Sequence, residues 1–211
     1  MPIEPTVFIV DDDPALRDSL LWLIGSIGLH GETFASAEEY LEQFSPDRHG
    51  CLLLDVRMPG LSGLELNERL SKERGAPPVI ILTGHGDVPM AVRALKAGAF
   101  DFIEKPFSDQ ILLERIHKAL LLDERRRAEL ERVLSVEERL ATLTAREREV
   151  FEVVVEGKPN KVIASDLGLS QKTVEVHRAH VMEKMRADSL AALVRMAVIA
   201  LDPLTDSRLA P

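Results

Sequence analysis

Asp11, Asp12, Asp55, Thr83 and Lys105 are residue types that together could handle a phosphoryl group. Each stands at the end of a short apolar run or just after one. Asp11 and Asp12 follow Thr6–Val10, Asp55 stands at the end of Cys51–Val56, Thr83 ends Val79–Thr83, and Lys105 comes just after Phe100–Ile103. Three carboxylates gathered at one edge repel one another and raise each other's pKa values unless a cation neutralises them. Hard oxygen ligands of this kind suit Mg²⁺, which keeps positions open for phosphate oxygens. A carboxylate can also attack phosphorus and form an aspartyl phosphate. A metal, a hydroxyl and an ammonium would then stabilise the charge on the transferring group.

Such residues meet only if the runs are strands of one sheet. Continuous apolar runs of this length suit strands buried on both faces, as in a parallel sheet. A weaker run, Glu32–Ala35, supplies a fifth strand. Ligands of an open parallel sheet bind beyond the carboxyl ends of its strands. The intervening segments carry helix-start chemistry. Asp13-Pro14 reads as an N-cap followed by an N1 proline. Ser36 with Glu39, and Ser62 with Glu65, match the reciprocal capping box. Five strands alternating with five helices predict a doubly wound, flavodoxin-like α/β domain with a five-stranded parallel sheet.

Between Asp109 and Arg139 there is neither proline nor glycine, which predicts one long helix leaving the first domain as a linker. Its charged run Asp123–Arg127 reads as a solvated face. A small all-α unit begins near Thr144, which with Glu147 forms another capping box. Gly157 ends its first helix, Pro159 and Asn160 open a second, and Gly168 closes that one. Ser170 caps a third helix running to about Met185. Leu190, Leu193, Val194, Ala197, Val198 and Leu201 form the stripe of a fourth. The division is therefore 1–122 for the α/β domain, 123–140 for the linker helix, 141–204 for the helical domain and 205–211 for a disordered tail.

The chain has 211 residues and a net charge of −9. Residues 140–211 hold ten basic and ten acidic side chains, so all the excess acid lies N-terminal to them. Residues 158–186 carry six basic against three acidic groups, a modest positive patch. Cys51 is the only cysteine, which excludes an internal disulfide. No apolar stretch approaches the roughly 18 residues of a membrane span, and the first residues lack a secretory pattern. These features fit a cytoplasmic protein without a membrane partner.

The first domain resembles the receiver family over about residues 5–120, through Val10-Asp11-Asp12, Leu54-Asp55-Val56-Arg57-Met58-Pro59-Gly60, Thr83-Gly84 and Lys105-Pro106. The resemblance implies that Asp55 is the phosphoacceptor. It implies that Asp11, Asp12, Asp55 and the backbone carbonyl of Arg57 bind Mg²⁺, and that Thr83 and Lys105 contact phosphoryl oxygens. It places Phe102 at the family's aromatic switch position, moving together with Thr83. Lys105-Pro106 is expected to be cis by the same likeness. Gly84 and Gly86 supply a loop beside the site, in which His85 reads as solvated.

Residues 143–186 resemble the LuxR-type DNA-binding domain, a helix-turn-helix, through Leu143-Thr144-Ala145-Arg146-Glu147, Gly157, Asn160-Lys161, Ile163-Ala164, Leu167, Leu169-Ser170, Thr173-Val174, His177 and Lys184. Val174, His177, Val181 and Met185 form the buried stripe of its third helix. Lys172, Glu175, Val176, Ala179 and Glu183 face away, toward a major groove. Lys161, Lys172, Thr173, Arg178 and Lys184 are candidate phosphate contacts. Glu175 could accept from cytosine N4, and Val176 or Ala179 could touch a thymine methyl. The resemblance implies that the Leu190–Leu201 stripe packs on its own core and also presents Val194 and Ala197 to a partner copy. Phe102-Ile103-Glu104-Lys105-Pro106-Phe107 and Thr173-Val174-Glu175-Val176-His177-Arg178 extend the likeness to FixJ-type two-component response regulators. That family implies a sensor histidine kinase, promoter DNA and RNA polymerase as partners, and a homodimer when phosphorylated. It also implies no enzymatic activity beyond Mg²⁺-dependent self-phosphorylation and slow autodephosphorylation on Asp55. Two other readings stay open, a phosphatase working through an aspartyl phosphate and a DNA-binding protein indifferent to phosphorylation.

Overall fold

The computed structural model describes residues 4–84 and 88–201, so His85, Gly86 and the tail 205–211 lie outside the described residues. The first unit runs to Ala128 and the second begins at Glu129. In the first, β1 (Thr6–Val10), β2 (His30–Phe34), β3 (Gly50–Asp55), β4 (Val79–Thr83) and β5 (Asp101–Glu104) form one parallel sheet in the order β2-β1-β3-β4-β5. Between and after them come α1 (Pro14–Ser26), α2 (Ala37–Gln43), α3 (Gly63–Leu70), α4 (Val88–Lys96) and α5 (Asp109–Ala141).

The continuous apolar runs are explained by burial on both faces. Every residue of β1, β3 and β4 is buried. Side chains alternate between faces along a strand. Phe8, Val10, Leu52, Leu54, Val79 and Ile81 therefore meet Tyr40, Leu66, Leu70 and Ala94 of α2, α3 and α4. Val7, Ile9, Leu53, Ile80 and Leu82 meet Leu20, Ile24, Leu112, Ile116 and Ala119 of α1 and α5. This is the predicted doubly wound, flavodoxin-like arrangement. Three strands shift from their expected bounds, and β3 does so by one residue at each end, from Cys51–Val56 to Gly50–Asp55. The edge strand β2 starts at His30, because pairing with Thr6 and Val7 recruits residues that are not apolar. β5 starts at Asp101 and ends at Glu104, which pairs with Thr83.

The caps follow the sequence with one exception. Asp13 caps α1 with Pro14 in its first turn, and Ser62 with Glu65 makes a complete box on α3. Ser36 accepts from Glu39 N, but the Glu39 carboxylate accepts from Ala35 N, so the expected reciprocal box is only half formed. The charged run departs from expectation at its two ends, while Glu124 and Arg125 between them are exposed as expected. Asp123 and Arg127 are 4% and 8% exposed, because backbone groups of the first unit, among them Gly50 N and Pro46 O, surround them.

The second unit takes the C-terminal part of α5 and packs it with α6 (Ala145–Val155), α7 (Asn160–Leu167), α8 (Gln171–Lys184) and α9 (Leu190–Leu201). Val136, Leu140, Val150, Phe151, Val154, Ile163, Val174, Val181, Met185, Leu193 and Ala197 form its core. Leu193 and Ala197 of the expected stripe are thus buried in this core, whereas Val198 of the same stripe is exposed. The inward face of α9 is Leu193 and Ala197, with Met196, Ile199 and Ala200 partly buried against the same core. Among the described residues no helix is long and apolar enough to cross a membrane.

Candidate functional site

The sheet order reverses between β1 and β3, and a crevice opens at such a switch point beyond the strand ends. Val10 is level with Leu54, so Asp11 leaves β1 beside Asp55 at the end of β3. Thr83 ends β4 in register with Glu104, and its carbonyl accepts from Lys105 N at 2.7 Å. The expected convergence of Asp11, Asp55, Thr83 and Lys105 is therefore present.

Lys105 Nζ donates to Asp11 Oδ2 and to Asp55 Oδ1, each at 2.7 Å. The remaining oxygens are held by backbone. Asp13 N donates to Asp11 Oδ1 at 2.9 Å, and Arg57 N to Asp55 Oδ2 at 2.6 Å. Burial raises the pKa of Asp55, against the opposing hydrogen bond from Lys105. Burial also works against the Lys105 charge, but its hydrogen bonds to both carboxylates prevail and its pKa is raised. Two buried carboxylates sharing one ammonium retain net negative charge, and exposed Asp12 adds another.

That donor set fits a hard divalent cation. Among the described residues no three His, Cys, Asp or Glu side chains gather as a ready metal cluster. Backbone oxygen and water would have to complete a coordination shell here.

Thr83 is 1% exposed. Phe102 pairs with Ile81, two residues before Thr83, so both side chains lie on one sheet face. Its ring is half-buried against the core beneath α4.

Three supports of this site lack an obvious sequence signal. Arg17 of α1 donates to Asp11 O at 2.6 Å, fixing the loop after β1. Gly63 lies against the carbonyl of Asp55 and donates to Val56 O. Asn67, 1% exposed, donates through Nδ2 to Ala94 O and Ala97 O and so holds the end of α4. Only Asn67 had a visible hint, as a polar residue among the inward Leu66 and Leu70.

In the second unit α7, the short turn Gly168–Ser170 and α8 form a helix-turn-helix. Lys161, Lys172, Glu175, Val176 and Ala179 are exposed. Thr173 is half-buried and its hydroxyl meets Ser170 Oγ. Arg178 donates to Asn160 Oδ1 at 3.0 Å, tying α8 to the start of α7.

Lys184 departs from its expected role as a phosphate contact. Its Nζ donates to Glu147 Oε2 at 2.6 Å and to Thr142 O at 3.2 Å. The capping carboxylate of α6 has drawn it into the domain. This hydrogen bond, with the one from Thr144 N, lowers the Glu147 pKa to about 2. Because that value lies below the ordinary 4.5, the pairing stabilises the unit fully above pH 4.5 and is lost as pH falls toward 2. Lys184→Met is therefore expected to lower the urea midpoint at pH 7, with the gap from wild type closing as pH falls through that window. A gap constant with pH would mean that the lysine contributes only packing.

The chain matches two families, the response regulator receiver domain over residues 7–117 and the luxR family of bacterial regulatory proteins over residues 141–197. It is 50% identical over 194 residues to the transcriptional regulatory protein FixJ of Rhizobium meliloti, covering 92% of this chain and 95% of that one. It is 47% identical over 191 residues to nodulation protein W of Bradyrhizobium diazoefficiens, covering 90% and 84%. Among solved structures it is similar to the response regulator StyR, with a TM-score of 0.83 and 45% identity over 92% of this chain and 98% of that one.

Proposed function

The chain belongs to the FixJ-type response regulators, in which a receiver domain and a luxR-family DNA-binding domain give phosphorylation-controlled transcription, and from that premise we propose that Asp55 is the phosphoacceptor. The observation that carries this is the Lys105 ammonium held between two buried carboxylates at the switch point of the sheet.

A sensor histidine kinase is the donor. An oxygen of Asp55 attacks the phosphorus of its phosphohistidine. The P–O bond forms as the P–N bond breaks, and the electron pair leaves with the imidazole. Lys105, released from Asp55 as its charge moves to the phosphoryl group, pairs with a phosphoryl oxygen, and the Thr83 hydroxyl contacts another. Asp11, Asp12, Asp55 and the Arg57 carbonyl would hold Mg²⁺, which supplies charge neutralisation when bound. Chemistry stops at Asp55, with slow self-hydrolysis and no external substrate.

Thr83 and Phe102 then shift on their shared face. The α4–β5 surface, where Val88, Val92 and Leu95 are exposed at helical spacing, pairs two copies. The pair binds promoter DNA in the cytoplasm and engages RNA polymerase. Lys161, Lys172, Thr173 and Arg178 meet phosphates, and Glu175, Val176 and Ala179 face base edges. In this reading residues 1–122 act as the receiver, 123–140 as the linker helix and 141–204 as the DNA-binding domain.

Light scattering tests it. Acetyl phosphate with Mg²⁺ is expected to double the mass of wild type and leave Asp55→Asn unchanged. An unchanged mass with Asp55 shown to be phosphorylated would overturn pairing as the switch.

A further inference from the structure

We infer that Asp123 and Arg127 form a latch that makes the stretch of α5 up to Ala128 an integral part of the receiver, so that the helix leaves that unit as a fixed extension. Both residues lie beyond residue 117, where the receiver-family match stops. They stand one helical turn apart, and together they satisfy backbone groups from separate segments of the chain. Asp123 Oδ2 accepts from Gly50 N and from Arg127 Nε, each at 2.9 Å. Arg127 Nη1 donates to Pro46 O at 2.7 Å, and Nη2 donates to Arg48 O and to Gly75 O.

One of these partners, Gly50 N, is a group the sheet itself leaves over. β3 pairs with β4 only from Leu52 onward, so Gly50 N precedes the first rung on that side. This N–H needs an acceptor, and its strand is held in place against β1. A Cβ on Gly50 would lie 1.7 Å from Thr6 O, which shows how closely β3 begins against β1. Pro46, Arg48 and Gly75 belong to the loops that enter β3 and β4. A buried backbone polar group left unpaired is costly, and a planar guanidinium fork can serve several carbonyls at once. Burial raises the Asp123 pKa, against the hydrogen bonds from Gly50 and Arg127. The latch closes the edge where the strands begin, opposite the edge that carries Asp55.

This assignment rests on the reading that Asp55 controls the second unit, since only then does a fixed exit from the receiver serve as a signalling element. Hydrogen exchange on the full chain tests it. In wild type, amides 121–128 are expected to exchange about as slowly as those of 112–119. Arg127→Ala is expected to speed exchange about tenfold or more in 121–128 and in 46–50. Acetyl phosphate with Mg²⁺ should still phosphorylate Asp55 to the wild-type extent, read by intact mass. Arg127→Lys keeps the charge without the fork and should fall between the two, which keeps the test valid if the alanine variant fails to fold.

Unchanged protection of 121–128 in both variants would overturn the latch. So would loss of protection spread over the whole receiver in Arg127→Lys, since the pair would then serve general stability. Absence of phosphate on wild-type Asp55 would instead remove the functional reading, and the exchange comparison would still decide the latch.

Discussion

Asp55→Asn is expected to abolish phosphorylation while leaving the receiver folded and as stable as wild type, or more stable by about 1 kcal/mol. Asparagine has the same shape but no anionic oxygen to attack phosphorus. Its amide can still accept from Lys105, although its NH₂ would face the Arg57 N–H that now donates to Asp55 Oδ2. That lost hydrogen bond is offset by removing a buried charge next to Asp11. Burial and the Asp11 charge both push the Asp55 pKa up, which means the fold holds this carboxylate ionised at a cost. Functional groups commonly carry such a cost in stability. Intact mass after acetyl phosphate and Mg²⁺, paired with thermal melts, reads both halves. Wild-type phosphate uptake on the asparagine variant would sink the assignment and point to Asp11 or Asp12 as acceptor.

Gly63→Ala is expected to be damaging out of proportion to one methyl group. Its Cβ would stand 2.0 Å from Asp55 O and 2.9 Å from Asp55 C, both backbone atoms. Gly63 N is fastened to Val56 O at 3.1 Å, so the start of α3 cannot retreat without losing that bond. Overpacking against fixed backbone puts the cost at about 3 kcal/mol, a drop in melting temperature of roughly 10 °C. The displaced group is the peptide of Asp55, the proposed phosphoacceptor. Molecules that remain folded should therefore phosphorylate up to about 100-fold more slowly, as expected for a small misplacement of a reacting group. Ser62→Ala is the control. It removes the α3 cap, worth about 1 kcal/mol, and should leave the phosphorylation rate near wild type. Equal loss of rate in both variants would mean that Asp55 responds to stability and not to the contact with Gly63.

The carboxylates of the candidate site, the strands that present them and most helix starts were legible in the chain itself. Those signals are local. A buried strand announces itself by consecutive apolar residues, and a cap by a hydroxyl or carboxylate three residues before its partner. The convergence of Asp11, Asp55, Thr83 and Lys105 followed from one further rule, that ligands of a parallel sheet gather at its carboxyl edge. The supports of the site were less legible. Gly63, Arg17 and Asn67 act on groups in other elements, and only Asn67, a polar residue between inward leucines, carries a local hint of its role.

The chain alone determined that Ser36 and Thr144 would cap helices with Glu39 and Glu147 three residues on, that α5 would run unbroken to Arg139, and that Asp123 and Arg127 would sit one turn apart. It did not determine what those charges meet. Glu39 turned to Ala35 N because that amide stood within reach of its carboxylate. Glu147 drew in Lys184 because the end of α8 packs beside the start of α6. Asp123 and Arg127 became buried because folding brought Pro46, Arg48, Gly50 and Gly75 around them. A charged pair at helical spacing is the same sequence whether it faces water or loop carbonyls. Only the closing of distant segments around it sets the local dielectric and supplies the partners, and that is a property of the tertiary structure.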